Sequence, residues 1–249
     1  MKAEFAQLAD SLVELVFPHS CVNCGGLVEA TGPAATGFRH LCPRCVAQIE
    51  FVHPPHCLTC GHPFYGVVEG DRMCPHCEGL APAFREGRTA VLFKGPARAL
   101  VLELKYHRGL HVLDDMAEIF RRVPRLGAAV RGATLVPVPL HPRKARVRGY
   151  NQAELLAEVI AQVAGGGTKV ALLLCRRIDT ESQTAFDRRT RMANLKNAFA
   201  LAKDATLNPA HHYILVDDVF TTGSTLNNCA RVLQRAGVLT LDVITFCHG

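Results

Sequence analysis

Tryptophan is absent from this 249-residue chain, and aromatic residues make up only 6% of it. No apolar run is long enough to cross a bilayer, although 49% of the residues are hydrophobic, so no membrane span is expected. The first seventeen residues lack the continuous apolar block of a secretory signal and carry Glu4, Asp10 and Glu14. Phe5, Leu8, Leu12, Leu15 and Val16 recur instead at helical spacing, which predicts an amphipathic helix over residues 4–17 ended by Pro18. That helix lacks the basic face of a membrane-surface anchor. A cytosolic protein is expected, and in that compartment eleven cysteines read as metal ligands or buried thiols, not disulfides.

Two further scarcities divide the chain. Leu, Val and Ile are sparse in residues 21–80, so metal coordination is expected to supply most of the folding energy there. Acid is missing altogether between Ile119 and Ala153, a stretch holding eight basic residues. The first eighty residues hold four Lys/Arg against eight Asp/Glu, and the remainder 24 against 14. A polyanion would therefore meet the second part and not the first.

Four Cys-x-x-Cys pairs occupy residues 21–80: Cys21/Cys24, Cys42/Cys45, Cys57/Cys60 and Cys74/Cys77. Two such knuckles supply four thiolates for a structural Zn2+, and a four-thiolate site leaves no open position for catalysis. The sequence Cys21-Val-Asn-Cys24-Gly25 parallels Cys57-Leu-Thr-Cys60-Gly61, and Cys42-Pro-Arg-Cys45 parallels Cys74-Pro-His-Cys77. This internal duplication favours two Zn2+ ions on sequential groups of four, though spacing alone leaves a cross-braced pairing open. His62 and His76 are the neighbouring histidines to watch. Given their negative local charge, direct phosphate binding by the ribbons is not the obvious reading, and a docking surface for a partner stands at least level with it.

Residues 80–84, with Pro82, mark a change of composition, which suggests a helix at 1–20, a double zinc ribbon at 21–80 and a second domain at 85–249. In the latter, strands are expected at 89–94, 135–140, 170–174, 213–216 and 238–246. Helices are expected at 97–106, 110–123, from Asn151 onward, and 224–236. Alternating strands and helices argue for a mostly parallel sheet covered on both faces.

Three stretches carry candidate chemistry. The apolar run ending at Val216 meets Asp217 and Asp218, and then Thr221, Thr222, Gly223, Ser224 and Thr225 precede a helix. Backbone N–H groups at a helix start, the hydroxyls and the close approach a glycine permits suit a phosphate, while the acids suit sugar hydroxyls or a water-bridged Mg2+. A phosphate beside a diol describes ribose 5-phosphate. The segment 141–152 reads as a basic loop beyond a buried strand, with Arg143, Lys144, Arg146 and Arg148 placed for pyrophosphate or a nucleic-acid backbone. Lys105 is a further candidate contact, and Tyr106 and Tyr150 are candidates for base stacking. Residues 176–199, too polar for core, read as a flap whose Arg188, Arg189, Arg191 and Lys196 could close over an anion or equally solvate a mobile hairpin. Cys175, Cys229 and Cys247 read as small core residues.

The run at 214–225 resembles the phosphoribosyl pyrophosphate (PRPP) motif of type I phosphoribosyltransferases. That resemblance implies that Asp217 and Asp218 hold the ribose hydroxyls and that residues 221–225 wrap the 5-phosphate. The zinc knuckles, Leu104-Lys105-Tyr106, Val136-Pro-Val-Pro-Leu140, Arg148-Gly149-Tyr150-Asn151-Gln152 and Gln183 with Arg191 and Asn194 together resemble the ComF family of competence proteins, its ComFC/GntX-like branch. Tyr150 stands where that family usually has Phe. The resemblance implies a double zinc ribbon followed by a type I phosphoribosyltransferase-like domain. It also implies a role in natural transformation, where single-stranded DNA enters the cytosol beside a helicase-like partner, ComFA, at the inner face of the membrane.

Two functions are carried forward. One is a DNA-handling accessory that binds single-stranded DNA and PRPP or ribose 5-phosphate. The other is an Mg2+-dependent phosphoribosyltransferase in which Asp217 and Asp218 act catalytically, stabilising positive charge at the ribose carbon. A glutamine-dependent amidotransferase is not expected, because the chain opens Met1-Lys2-Ala3 and not on a cysteine nucleophile.

Overall fold

The computed structural model describes residues 19–28, 36–66, 73–177 and 198–249. The helix expected at 4–17 and the basic flap residues Arg188, Arg189, Arg191 and Lys196, with Gln183 and Asn194, lie outside them. Five strands form one parallel sheet: β1 (Gly87–Leu92), β2 (Thr134–Pro137), β3 (Lys169–Val170), β6 (His212–Phe220) and β7 (Thr240–His248), in the order β1-β7-β6-β2-β3. A short antiparallel hairpin, β4 (Leu174–Arg176) with β5 (Phe199–Leu201), stands apart from it. The strand expected at 170–174 is thus split between two sheets, since Ala171 to Leu173 turn away to begin the hairpin.

Helices cover both faces. The short turn α1 (Pro43–Val46) belongs to the first ribbon, and α2 (Gly95–Tyr106), α3 (Leu113–Arg121) and α4 (Pro124–Val130) follow β1. Pro124 starts a new helix at N1 where one continuous helix over 110–123 was expected to end. A seven-residue helix, α5 (Pro142–Arg148), and the longer α6 (Gln152–Ala164) follow β2, and α7 (Ser224–Arg235) follows β6. Leu100, Leu104, Met116, Ile119, Leu156 and Ile160 pack with Ile214, Val216 and Ile244 on one face of the sheet. Leu226, Cys229, Ala230 and Leu233 pack with Leu215, Leu241 and Val243 on the other. Alternate residues of β6 thus feed opposite cores, as a strand buried on both faces must.

The ribbons are built into these cores. Phe38, Leu41 and Ile49 of the first share a cluster with α2 and α3, and the four cysteines of the second share the α7 side. Between the two, residues 50–60 run along the edge strand. The N–H of Val52 donates to the Ala90 carbonyl at 3.0 Å, that of Leu92 to Glu50 at 2.9 Å, and that of Gly87 to Leu58 at 2.6 Å. An exposed edge would offer unpaired N–H and C=O groups to any passing strand, and the ribbon segment covers it. The ribbons pack against the chain's own α/β layer, so apolar packing shares with metal the work of holding them.

Candidate phosphate site and metal centres

Sequential pairing of the knuckles holds. Cys21, Cys24, Cys42 and Cys45 form one group and Cys57, Cys60, Cys74 and Cys77 another, with the thiol sulfurs of each group within 4.8 Å of one another. A tetrahedral Zn–S length of ~2.3 Å puts sulfurs about 3.8 Å apart. The Sγ separations of 3.7 Å for Cys24–Cys42, 3.9 Å for Cys57–Cys77 and 3.8 Å for Cys74–Cys77 match that edge. Donors back the sulfurs as thiolates require: Asn23 Nδ2 to Cys45 at 3.2 Å, and the N–H groups of Cys74 to Cys57 and of His62 to Cys60, both at 3.4 Å. Both groups fit structural zinc. The duplication extends to the backbone. Gly25 and Gly61 take positive φ of 71° and 75°, and Pro43 and Pro75 each open a helical turn after an extended cysteine. Of the watched histidines, His62 has its ring centroid 4.9 Å from that of His248 in a tilted contact, and the side chain of His76 lies outside the described residues.

The acid pair sits inside a strand, and not just past its end as the apolar pattern suggested. β6 runs on to Phe220 because β7 continues to pair with it, Asp217 against Thr245 and Phe220 against His248. Thr221, Thr222 and Gly223 then make the turn, and Ser224 opens α7. Thr222 Oγ1 accepts from the Ser224 N–H at 3.4 Å and donates to Ser224 Oγ at 3.0 Å. Gly223 caps the helix with φ 69°, and a Cβ there would stand 2.6 Å from Phe220 Cζ and 3.0 Å from Leu80 Cδ2. Its missing side chain thus makes room for the protein's own interior, not for a ligand at the open side of the turn.

The sheet order sets a topological switch point at this end of the molecule, where α/β folds place a ligand crevice. β2 leads through α6 to β3 in one direction, and β6 leads through α7 to β7 in the other, with α6 and α7 on opposite faces. β2 and β6 are neighbours in register, Pro137 against Val216, so their carboxyl ends flank the topological switch point. Asp217 and Asp218 border it from β6 and α5 borders it from β2.

Residues 142–148, read as loop, are helical. Pro142 fills N1, the His141 imidazole accepts from the Arg143 N–H at 3.3 Å, and Gly149 stops the helix in the left-handed region. Arg143 and Arg146 are exposed, Lys144 and Arg148 half-buried. Asn151 caps α6 through the Ala153 N–H and also donates to the Val138 carbonyl at 3.0 Å. The end of α2 is laced to this segment. Tyr150 donates its hydroxyl to the Leu104 carbonyl, Arg108 donates to Val147 O at 3.0 Å, and Arg148 lies 5.9 Å from the Tyr106 ring centroid. Tyr106 is 68% exposed and Val147 73%, whereas Tyr150 is half-buried.

Lys105 does not point to the basic helix. Its Nζ lies 2.7 Å from Asp218 Oδ2, and Asp218 is buried. Burial first, and the neighbouring charge of Asp218 second, push the Asp217 carboxyl up to about 7; Lys105 and the Asp218 N–H, 2.9 Å from Asp217 Oδ1, act in the opposite sense.

Two residues that tie the ribbons to the sheet domain escaped the sequence. Buried Asn227 accepts from the Ala83 N–H at 2.7 Å and donates to the Leu80 and Ala81 carbonyls, so α7 holds the segment joining ribbon to sheet. Buried Asp115 accepts from the N–H groups of Arg39 and His40 at 2.8 and 2.9 Å, tying the first ribbon to α3. Both were visible as polar residues on apolar helix stripes, Asn227 beside Ala230 and Asp115 beside Ile119.

A parallel α/β sheet with an acid pair at its switch point and two four-cysteine ribbons on its edge defines a zinc-ribbon α/β protein. The family model for the double zinc ribbon domain matches residues 12–78. The DNA utilization protein YhgH of Salmonella typhi is 30% identical over 216 residues, 85% of this chain and 90% of its own length. Competence protein F of Haemophilus influenzae is 28% identical over 231 residues, 91% of this chain and 96% of its own, and competence protein ComFC of Bacillus subtilis is 23% identical over 79% of each. The chain belongs to this ComF family of competence and DNA-utilization proteins. A hypoxanthine phosphoribosyltransferase structure from Staphylococcus aureus overlays on 55% of this chain and 64% of its own at 14% identity and a TM-score of 0.36, too loose a fit to carry an argument.

Proposed function

We propose that the crevice at the switch point holds PRPP or ribose 5-phosphate, and that α5 with the end of α2 holds single-stranded DNA, in the service of DNA uptake or utilization. The observation that carries the first part is the placement of Asp217 and Asp218 on the strand that runs into the turn 221–223 and the start of twelve-residue α7. Amide groups at that helix start favour a phosphate, and the acids accept hydrogen bonds from ribose hydroxyls. Mg2+ would arrive with the diphosphate, whose charge it neutralises. The second part rests on Arg143 and Arg146 standing exposed on one helix whose Arg148 lies 5.9 Å from the exposed Tyr106 ring, cations for phosphates and a ring for a base. Relatives named for competence and DNA utilization support the setting.

Calorimetry of the zinc-loaded protein with PRPP and Mg2+ tests the pocket. Asp217→Asn is expected to abolish binding and leave the melting curve in place; full affinity in that variant would remove the assignment. A parallel assay of pyrophosphate release, with and without single-stranded DNA, addresses the second reading, a transferase. That reading draws on the adjacency of the two acids near the end of β6, where they would stabilise positive charge on a bound ribose. Release independent of DNA supports it, and DNA retention without release supports the accessory.

A further inference from the structure

The candidate site holds a cation of its own. Lys105 reaches from the last turn of α2 into the crevice, and its side chain is only 21% exposed. Among the described residues it is the one ion-pair partner of Asp218. Asp218 Oδ2 has no aligned hydrogen-bond donor, so the pairing is one of charge and not of a directed bond. The backbone holds Lys105 in place from two sides: Leu104 is fully buried, and its carbonyl is held by the Tyr150 hydroxyl.

We infer that Lys105 is an intramolecular counter-ion: it balances Asp218 while the crevice is free, keeps the acid pair from taking a divalent cation unaided, and turns to the anion when a phosphorylated sugar enters. The first two parts stand on the ion pair alone; the third rests on the phosphorylated-sugar reading. The chemistry is that of competing cations. A hard divalent ion needs carboxylate oxygens free of a resident ammonium, and an ammonium 2.7 Å from Asp218 both occupies that oxygen and repels the incoming charge. A bound sugar hydroxyl, being neutral, would displace the ammonium without that repulsion. The freed cation then faces whatever phosphate the sugar carries.

Mn2+ alone is the probe, titrated into the zinc-loaded full chain, with free Mn2+ read by electron paramagnetic resonance. Lys105→Met, which keeps the stem and removes the charge, is expected to raise Mn2+ affinity on the order of tenfold. Adding Asp218→Asn to that variant should cancel the gain. Equal Mn2+ affinity in wild type and a folded Lys105→Met would overturn the inference. Should Lys105→Met fail to fold, pulse acetylation of the wild-type protein decides. Lys105 should be labelled many-fold more slowly than exposed Lys203, with a rate altered by ribose 5-phosphate plus Mg2+; equal, ligand-insensitive rates would overturn the inference. The PRPP titration of wild type keeps the two readings apart. A Mn2+ gain without PRPP binding retains the counter-ion and removes the sugar, and PRPP binding without the gain does the reverse.

Discussion

Cys24 of the first ribbon is exposed, whereas Cys60, its counterpart in the second, is sealed from solvent, although the backbone around them repeats turn for turn. The first ribbon hangs on α3 through Asp115, with its outer knuckle facing water. The second lies between the edge strand and the segment 80–83, and Leu80 touches the place where Gly223 lacks a side chain. Duplicating a metal knuckle copies its local hydrogen bonds, which depend on a few neighbouring residues. What each copy does then depends on the surface it lands on. Here one copy is a handle on a helix and the other is the floor of the candidate phosphate turn.

The largest expected effect sets the two sites directly against each other. Structural zinc contributes on the order of 10 kcal/mol in small ribbons. Cys60→Ala should therefore lose one zinc of two and the cooperative melt of the sheet with it. Cys24→Ala should weaken one zinc but leave the α/β domain folded. Metal analysis with thermal unfolding measures both, and equal losses would mean that the burial difference has no energetic weight.

The next comparison concerns the attachments. Gly223→Ala forces a side chain into a left-handed turn and against Phe220 and Leu80, and should cost about 2–4 kcal/mol while disturbing the candidate site. Asp115→Ala strands the buried His40 N–H and the part-buried Arg39 N–H and should cost about 1–3 kcal/mol while sparing that site. Urea unfolding and PRPP titration together separate the two. If both variants lose ligand equally, the ribbons do not differ in their relation to the crevice.

The asymmetry between the ribbons shows what the chain's pattern could and could not disclose. Knuckle spacing and its repetition are local, so the metal groups and their sequential pairing were legible. The parallel sheet was legible as well, because a doubly buried strand such as 213–216 reads as an unbroken apolar run. The continuation of β6 through two acids was not. It depends on β7 offering a ladder as far as His248, which no local pattern reports. The helix at 142–148 had its signals in place, Pro142 at N1 and Gly149 beyond the end, but four cations within seven residues read as a phosphate-facing loop. Lys105 was named as a candidate phosphate contact, but its place beside Asp218 was not legible, since the approach of α2 to β6 is a tertiary fact.

The smallest effect lies where the second ribbon passes into the sheet. Burial alone would raise the Asp242 carboxyl, but hydrogen bonds from Arg85 and His212, with their charges, hold it below the usual carboxylate range. A group depressed in this way stabilises the fold fully above its unfolded value of about 4 and loses that contribution as pH falls through its folded value. Asp242→Asn should therefore be less stable than wild type near neutral pH and close to it in strong acid. Urea unfolding across that range reads the convergence, and parallel curves would contradict it.

The phosphorylated-sugar pocket is tested most directly by the crystal structure of the zinc-loaded protein soaked in ribose 5-phosphate and Mg2+. The expected result is phosphate density against the amide groups of residues 221–225, ribose hydroxyls on Asp217 and Asp218, and the Lys105 ammonium turned away from Asp218. Density for the sugar elsewhere, or a crevice with Lys105 still on Asp218 at saturating ligand, would contradict it.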